Sequence, residues 1–293
     1  MMDINYELYK VFYQVAVSLS FSEASKKLFI SQSAVSQSIK VLERKLNQTL
    51  FIRSTKKVQL TSEGETLLSY VEPAMNLIRR GEAQILETTS LDSGQLRIGA
   101  SDTICRYFLV PYLSRFHKEY PNVHIKVTNQ TSIKCVDLLE NGSVDLIFTN
   151  YPNSRLGHSF HIRHIKEFHD HFIASRKYYG KLEHTTLSFK DLLGYPILML
   201  GRSSTTSEFV HSMFQQHQLD LVPEIELSSN DLLLDLASIG LGIAFVPDYC
   251  VAQRLPDLFP ITLQSTLPSR HLAVVHSEQI PVSHAARQFL HYF

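Results

Sequence analysis

Ser33, Ser36, Gln37, Lys40 and Arg44 follow one another at helical spacing. On a helix they share one face, with two hydroxyls and an amide leading and two cations trailing. Gln can bond adenine through two hydrogen bonds, hydroxyls serve base edges or phosphates, and cations meet phosphates. The reverse side carries Val35, Ile39, Leu42 and Leu46, the apolar stripe such a helix would bury. A solvated face of any small helical bundle has the same pattern, and spacing alone leaves both readings open.

A helix that reads DNA has to be held at a fixed angle. Upstream, Leu8, Val11, Phe12, Val15 and Leu19 repeat with amphipathic period and predict a first helix from Tyr6 to Leu19. Ser22 is expected to cap a short second helix, with Glu23 at its positive end and Ala24 and Leu28 on one face. Ser31 is expected to cap the third helix, ahead of Gln32. Downstream, Leu50-Phe51-Ile52-Arg53 and Val58-Gln59-Leu60 alternate like two short strands around the basic turn Ser54–Lys57. A hairpin with a basic tip is a wing, whose Arg53, Lys56 and Lys57 would supply salt-sensitive backbone contacts.

The overall charge conceals this. Across 293 residues, 28 Lys or Arg balance 28 Asp or Glu, which taken alone argues against a nucleic-acid partner. Residues 1–60, however, hold nine basic and four acidic side chains, and the remainder holds nineteen and twenty-four. A small basic module is therefore joined to a larger acidic one. With 44% hydrophobic and 19% charged residues, long disordered stretches are excluded.

The ordered string Phe21-Ser22-Glu23-Ala24-Ser25, Leu28, Ile30-Ser31-Gln32-Ser33-Ala34-Val35-Ser36-Gln37, Ile39, Leu42-Glu43, Leu46, Leu50-Phe51-Ile52-Arg53 and Leu60-Thr61-Ser62-Glu63-Gly64 resembles the LysR-type transcriptional regulators. Ser33 stands where that family often has proline, and Asn47 where it often has glycine; Asn is the next best residue for a left-handed cap. The resemblance implies an α/β protein overall. It would have a mainly α, winged helix-turn-helix domain with a β wing at 1–60, a linker helix at 61–90 and a two-lobed α/β effector domain at 91–293. It also implies that Ser33, Ser36, Gln37 and Arg53 contact DNA, with Ser31, Gln32, Lys40, Arg44, Lys56 and Lys57 completing the expected interface.

In the linker, Ser62-Glu63-Gly64-Glu65 has the form of a capping box, and Leu67, Val71, Ala74, Ile78, Gly81 and Ile85 make a 4-3 seam on a helix expected over 63–89. A seam suits dimerisation, a helix packed on its own domain being the alternative, and Pro73 calls for a bend. The resemblance adds a homodimer or homotetramer. Two-fold symmetry predicts a pseudo-palindromic double-stranded site with half-sites about 10–10.5 bp, or a multiple, apart.

Beyond Gly94, nine strand-like and seven helix-like segments alternate, the last two helices being Pro247–Arg254 and Pro281–Tyr292. That alternation predicts mostly parallel sheets, in one lobe of about 91–163 and 267–293 and another of about 164–266. Hydroxyl-rich junctions follow several strands: Ser101-Asp102-Thr103, Asn129-Gln130-Thr131-Ser132, Thr149-Asn150, Gly201-Arg202-Ser203-Ser204-Thr205-Thr206 and Ser228-Ser229-Asn230. Helix capping accounts for one hydroxyl per helix and less well for runs of four. With Arg202, the longest run suits a carboxylate, phosphate or sulfate. Leu96–Ser101, Val144-Asp145-Leu146 and Gly240–Pro247 extend the resemblance, and its two-lobed domain is similar to type 2 periplasmic binding proteins. That implies a cleft lined by Ser101, Thr103, Thr149, Ser203, Ser204 and Asn230. Effector binding there is expected to alter the angle between lobes, the spacing of the DNA-reading heads and contact with RNA polymerase.

Other classes are less well supported. An enzyme or solute-binding protein is the rival, but no G-x-S-x-G, Walker A, H-E-x-x-H or full G-x-G-x-x-G occurs, so no catalytic residue, metal or cofactor is expected. The N-terminal residues lack the form of a secretory signal, and the longest apolar run, near Leu236–Pro247, is too short for a bilayer; a cytoplasmic protein is expected. Cys105, Cys135 and Cys250 are widely spaced and read as small buried residues. Five histidines fall between His158 and His171, a density open to metal binding, effector or pH response, or plain exposure.

Overall fold

Residues 4–53, 57–86, 94–252 and 256–293 are described by the computed structural model, without the side chains of Arg53 and Leu86. Two units emerge, Met1–Leu86 with Asn141–Ser143, and the rest of the chain.

In the first unit, α1 (Tyr6–Ser18), α2 (Phe21–Leu28) and α3 (Gln32–Leu46) bury Phe12, Val15, Ala24, Val35, Ile39 and Leu42 against one another. Ser20, not Ser22, caps α2: its hydroxyl accepts the Glu23 amide at 3.2 Å. Starting the helix two residues earlier puts Phe21 into the core, edge-on to Phe51. The expected cap at Ser31 is observed, accepting from Ala34 N–H at 3.1 Å, and Asn47 ends α3 in the left-handed region with φ 51°.

The hairpin β1 (Phe51–Arg53) and β2 (Val58–Leu60) pairs antiparallel, Phe51 opposite Leu60. Ser54, Thr55 and Lys56 of its tip lie outside the described residues. The carboxylate of Glu43, on α3, accepts the backbone N–H groups of Leu50 and Phe51 at 2.9 and 3.3 Å, tying the wing to the third helix. Helix α4 (Ser62–Leu86) is capped by Thr61, whose hydroxyl accepts from Gly64 N–H at 3.0 Å; the capping box expected from Ser62 is absent, since Ser62 donates instead to Glu63. A Cβ on Gly64 would stand 2.2 Å from the Leu50 carbonyl oxygen, so this close approach admits only glycine without a shift.

The α4 seam is split between the two readings. Val71 is buried, and Leu67, Leu68 and Met75 pack against the bundle core. Elsewhere on the helix Tyr70, Leu77, Ile78 and Ile85 are exposed, Ile85 at 85%. The helix continues through Pro73. Residues 87–90 of the expected linker lie outside the described residues.

The second unit contains β3 (Gly94–Ala100), α5 (Asp102–Ile104), a π-helical turn Cys105–Leu109, α6 (Val110–Glu119), β4 (Val123–Asn129), α7 (Ser132–Glu140), β5 (Leu146–Tyr151) and β6 (Phe160–Phe168). It continues with β7 (Asp170–Ser175), α8 (Arg176–Tyr179), β8 (Thr186–Leu187), α9 (Phe189–Leu192), β9 (Ile197–Leu200), α10 (Thr205–Gln216), β10 (Ile225–Leu227) and α11 (Asn230–Ser238). It closes with β11 (Ile243–Pro247), β12 (Leu258–Pro260), β13 (Thr262–Leu263), β14 (Arg270–Ser277) and α12 (His284–Leu290).

Two five-stranded sheets form, in the orders β4-β3-β5-β14-β6 and β10-β9-β11-β7-β12. Both are mixed rather than mostly parallel: β14 runs against β5 and β6, and β7 against β11 and β12. The antiparallel strands flank the two passages between lobes, where the chain leaves one sheet and enters the other without a crossover helix. Strand β6 stays in the first sheet to Phe168, so the first passage is His169, later than the expected boundary at 164. The helix expected over Pro247–Arg254 is not formed: Pro247 ends β11, a 3₁₀ turn covers Asp248–Cys250, and residues 253–254 lie outside the described residues. Helices cover both faces of each sheet, which accounts for the near-continuous apolar runs in β5 and β11.

Candidate nucleic-acid interface and interlobe cleft

On α3, Ser31, Gln32, Ser33, Gln37, Lys40 and Arg44 are exposed and Ser36 is half-buried, while Val35, Ile39 and Leu42 are buried beneath. The helix thus keeps its polar side outward, as its spacing predicts. The Ser31 and Ser33 hydroxyls lie 2.9 Å apart. Lys57 is exposed at the base of the wing; the side chains of Arg53 and Lys56 lie outside the described residues.

Between the lobes lies a cleft of about 740 Å³. Strand ends supply its walls, Ser101 after β3, Asn129 at the end of β4 and Gln130 after it, Asn150 on β5, Gly201 after β9 and Glu226 to Ser229 around the end of β10. Open α/β folds bind ligands at this edge because helices begin there. Four helix starts line it, and in each a hydroxyl accepts an amide of the first turn: Ser101 from Ile104, Thr131 from Lys134, Ser204 from Ser207 and Ser229 from Leu232, at 3.1–3.4 Å. Each hydroxyl so engaged as an acceptor keeps its hydrogen for a ligand.

Ser101, Thr103, Ser203, Ser204 and Asn230 line the cleft as expected, but two other residues do not. Thr149 is fully buried beneath it, its hydroxyl donating to the Asn150 carbonyl at 3.1 Å and accepting from the Asn153 amide at 3.0 Å. Strand alternation turns Asn150 into the cleft instead. Arg202 is exposed and absent from the lining, as are all other described Lys, Arg and His residues; Asp102 and Glu226 are its only charged side chains among the described residues. Glu226 had no signal in the sequence, because it lies two residues ahead of the hydroxyl run that follows β10. Asn230 spans the lobes, donating to the Thr103 hydroxyl at 2.9 Å, and Tyr107 donates to Asp231 at 2.6 Å. The buried Asn150 and Asn230 amide oxygens have no hydrogen-bond partner among the described residues.

The description "Bacterial regulatory helix-turn-helix protein, lysR family" matches residues 6–65, and "LysR substrate binding domain" matches 89–293. The chain belongs to the LysR family of transcriptional regulators. This LysR regulator is 27% identical over 286 residues to the HTH-type transcriptional activator CmpR of Synechocystis sp., covering 97% of this chain and 93% of that one. It is 30% identical to a probable RuBisCO transcriptional regulator of Nostoc sp., covering 82% and 72% of the two chains. Its fold matches a full-length OxyR variant from Pseudomonas aeruginosa, with TM-score 0.71, 17% identity and 98% coverage of both chains. It also matches full-length CbnR complexed with its target DNA, with TM-score 0.68, 20% identity and coverage of 99% and 98%. These relatives and folds are those of transcription regulators, not of enzymes. Among the described residues, no helix is long and apolar enough to cross a membrane.

Two histidine pairs and the thiols are other chemistry-bearing groups of the regulator. The β6–β14 register sets His161 against His276, with ring centroids 4.9 Å apart, and His164 stacks on His271 at 4.8 Å. By alternation the two pairs occupy opposite faces of the sheet. Among the described residues no three potential metal ligands come together. Burial pushes the Cys105 thiol up to about 11 and Cys135 up to about 12, so neither forms a thiolate near neutrality.

Proposed function

We propose that this LysR regulator is a sequence-specific, cytoplasmic DNA-binding protein controlled by a small anionic metabolite in the interlobe cleft. We assign residues 1–60 to DNA reading, 61–90 to linkage and 91–293 to effector sensing. The polar face of α3 carries the DNA assignment: Ser33, Ser36 and Gln37 lead toward base edges, and Lys40 and Arg44 meet phosphates. Exposed Ile78 and Ile85 on α4 favour pairing with a second copy, and so a pseudo-palindromic site. Regulation would proceed through contact with RNA polymerase.

For the effector, four helix starts favour an anionic group, held by backbone dipoles and hydroxyl donors with no side-chain cation among the described residues. The unpaired Asn150 and Asn230 oxygens and the Glu226 carboxylate favour an effector that also carries N–H or O–H donors.

The test is a duplex site selected by the full chain from a randomised pool. Gln37→Ala should relax base preference at one position by about 1–3 kcal/mol, and Lys56→Ala should weaken all duplexes about equally with a shallower salt slope. Identical specificity profiles for the wild type and Gln37→Ala would sink the recognition-face assignment.

A further inference from the structure

Phe29 stands where folding gives an aromatic ring no return. It ends α2 with φ 55°, and its own N–H and that of Ile30 close back onto the Lys26 and Ser25 carbonyls. Glycine, or failing that asparagine, is the natural occupant of such a left-handed cap, because a Cβ is disfavoured there. Packing does not compensate, since the residue is 95% exposed. A strained residue whose side chain stabilises nothing within its own fold has its use outside it.

Its position names the partner. Phe29 lies two residues ahead of Ser31, the cap of α3, and begins an exposed run that continues through Ile30 to Ser33 on the proposed recognition face. On its other side Lys26 and Lys27 are both exposed, which suits a polyanion rather than an apolar protein groove. We infer that the Phe29 ring is a DNA contact at the edge of the groove entered by α3, packing against an apolar group of the duplex, either a thymine methyl or a deoxyribose. This rests on the recognition-face reading and adds an aromatic element to a surface made mainly of hydrogen-bonding and charged groups.

The experiment compares the full-length protein with Phe29→Asn on the selected duplex and on the same duplex synthesised with deoxyuridine in place of thymidine. Asn suits the left-handed cap, so thermal stability should hold or rise. Affinity for the selected duplex should fall about tenfold, the loss expected on withdrawing a buried phenyl. If the wild type also loses affinity on the uracil duplex and the variant does not, the contact is to a thymine methyl; if the wild type is indifferent to uracil, it is to the sugar. Wild-type affinity in Phe29→Asn overturns the inference, and does so decisively if transcription is impaired at full DNA occupancy, since that assigns the ring to a protein partner. Gln37→Ala is measured alongside. Altered specificity in Gln37→Ala with unchanged binding in Phe29→Asn removes this inference and leaves the recognition face standing.

Discussion

Gly64→Ala and Gly81→Ala, the same substitution at two glycines of α4, should change stability in opposite directions. A methyl on Gly64 would sit 2.2 Å from the Leu50 carbonyl oxygen and 2.9 Å from the Leu60 Cδ2, whereas at Gly81 nothing lies within 4 Å. Ordinary carbon contacts begin near 3.5 Å, so relief at Gly64 needs a backbone displacement of about an ångström. That backbone is already fixed: the Leu50 carbonyl accepts from Thr61 N–H at 3.0 Å, and Leu50 N–H is held by Glu43. Overpacking of this kind costs about 1–3 kcal/mol, and alanine returns up to about 1 kcal/mol of helix propensity. The net is a loss of roughly 1–2 kcal/mol for Gly64→Ala and a gain of about 0.5–1 kcal/mol for Gly81→Ala. In a unit of this size each kcal/mol moves the melting temperature by about 4–8 °C. Differential scanning calorimetry of the two full-length variants reads the difference, and DNA affinity should fall with Gly64→Ala because the wing is anchored at Leu50. Equal or higher stability for Gly64→Ala, with unaltered DNA binding, refutes the close-approach argument.

Burial holds His164 and His171 below the ordinary imidazole value of 6.5, the neighbouring His271 adding to the effect at His164 while Asp248 and Asp170 oppose it at His171. The unfolded chain therefore takes up protons near pH 6.5 that the folded chain resists, so this contribution to stability is present above that pH and is lost as pH falls below it. Melting temperature should drop between pH 7.5 and 5.5, and the drop should be smaller in His164→Asn and His171→Asn; identical slopes refute the assignment. Arg270 is fully buried at the second passage between lobes, paired with Asp170 at 2.9 Å and lying over Phe168 and Phe209. Arg270→Met should cost about 3–5 kcal/mol by urea unfolding, and adding Asp170→Leu should restore much of it, because the penalty comes from the stranded charge. Iodoacetamide at pH 8 should label Cys105 and Cys135 slowly in the folded protein and rapidly in urea; prompt labelling when folded contradicts the raised thiol values.

How much of this was legible in the sequence depends on whether a residue's role is local. The caps at Ser31 and Asn47 and the buried stripe of α3 depend on neighbours within a turn, and periodicity read them correctly. Ser22 failed as a cap because Ser20 competes for the same job and wins by letting Phe21 reach Phe51, a contact thirty residues away. Parallel sheets were expected because alternation of strands and helices records element type but not direction. The two passages between lobes reverse β7 and β14 relative to their neighbours without leaving a mark on composition. At the cleft, hydroxyl runs were informative because four helices begin there, each needing a cap, so that stability and ligand chemistry select the same residue types. Arg202 was drawn in by its place beside such a run and Thr149 by its place at a strand end, yet which way each side chain faces is set by the strand and turn around it. The cleft that results offers anions backbone dipoles, hydroxyls and side-chain amides and, among the described residues, no cation. Its affinity should therefore depend on geometry at the four helix starts more than on ionic strength, and titrations across salt that shift DNA affinity by orders of magnitude should leave effector affinity nearly unchanged.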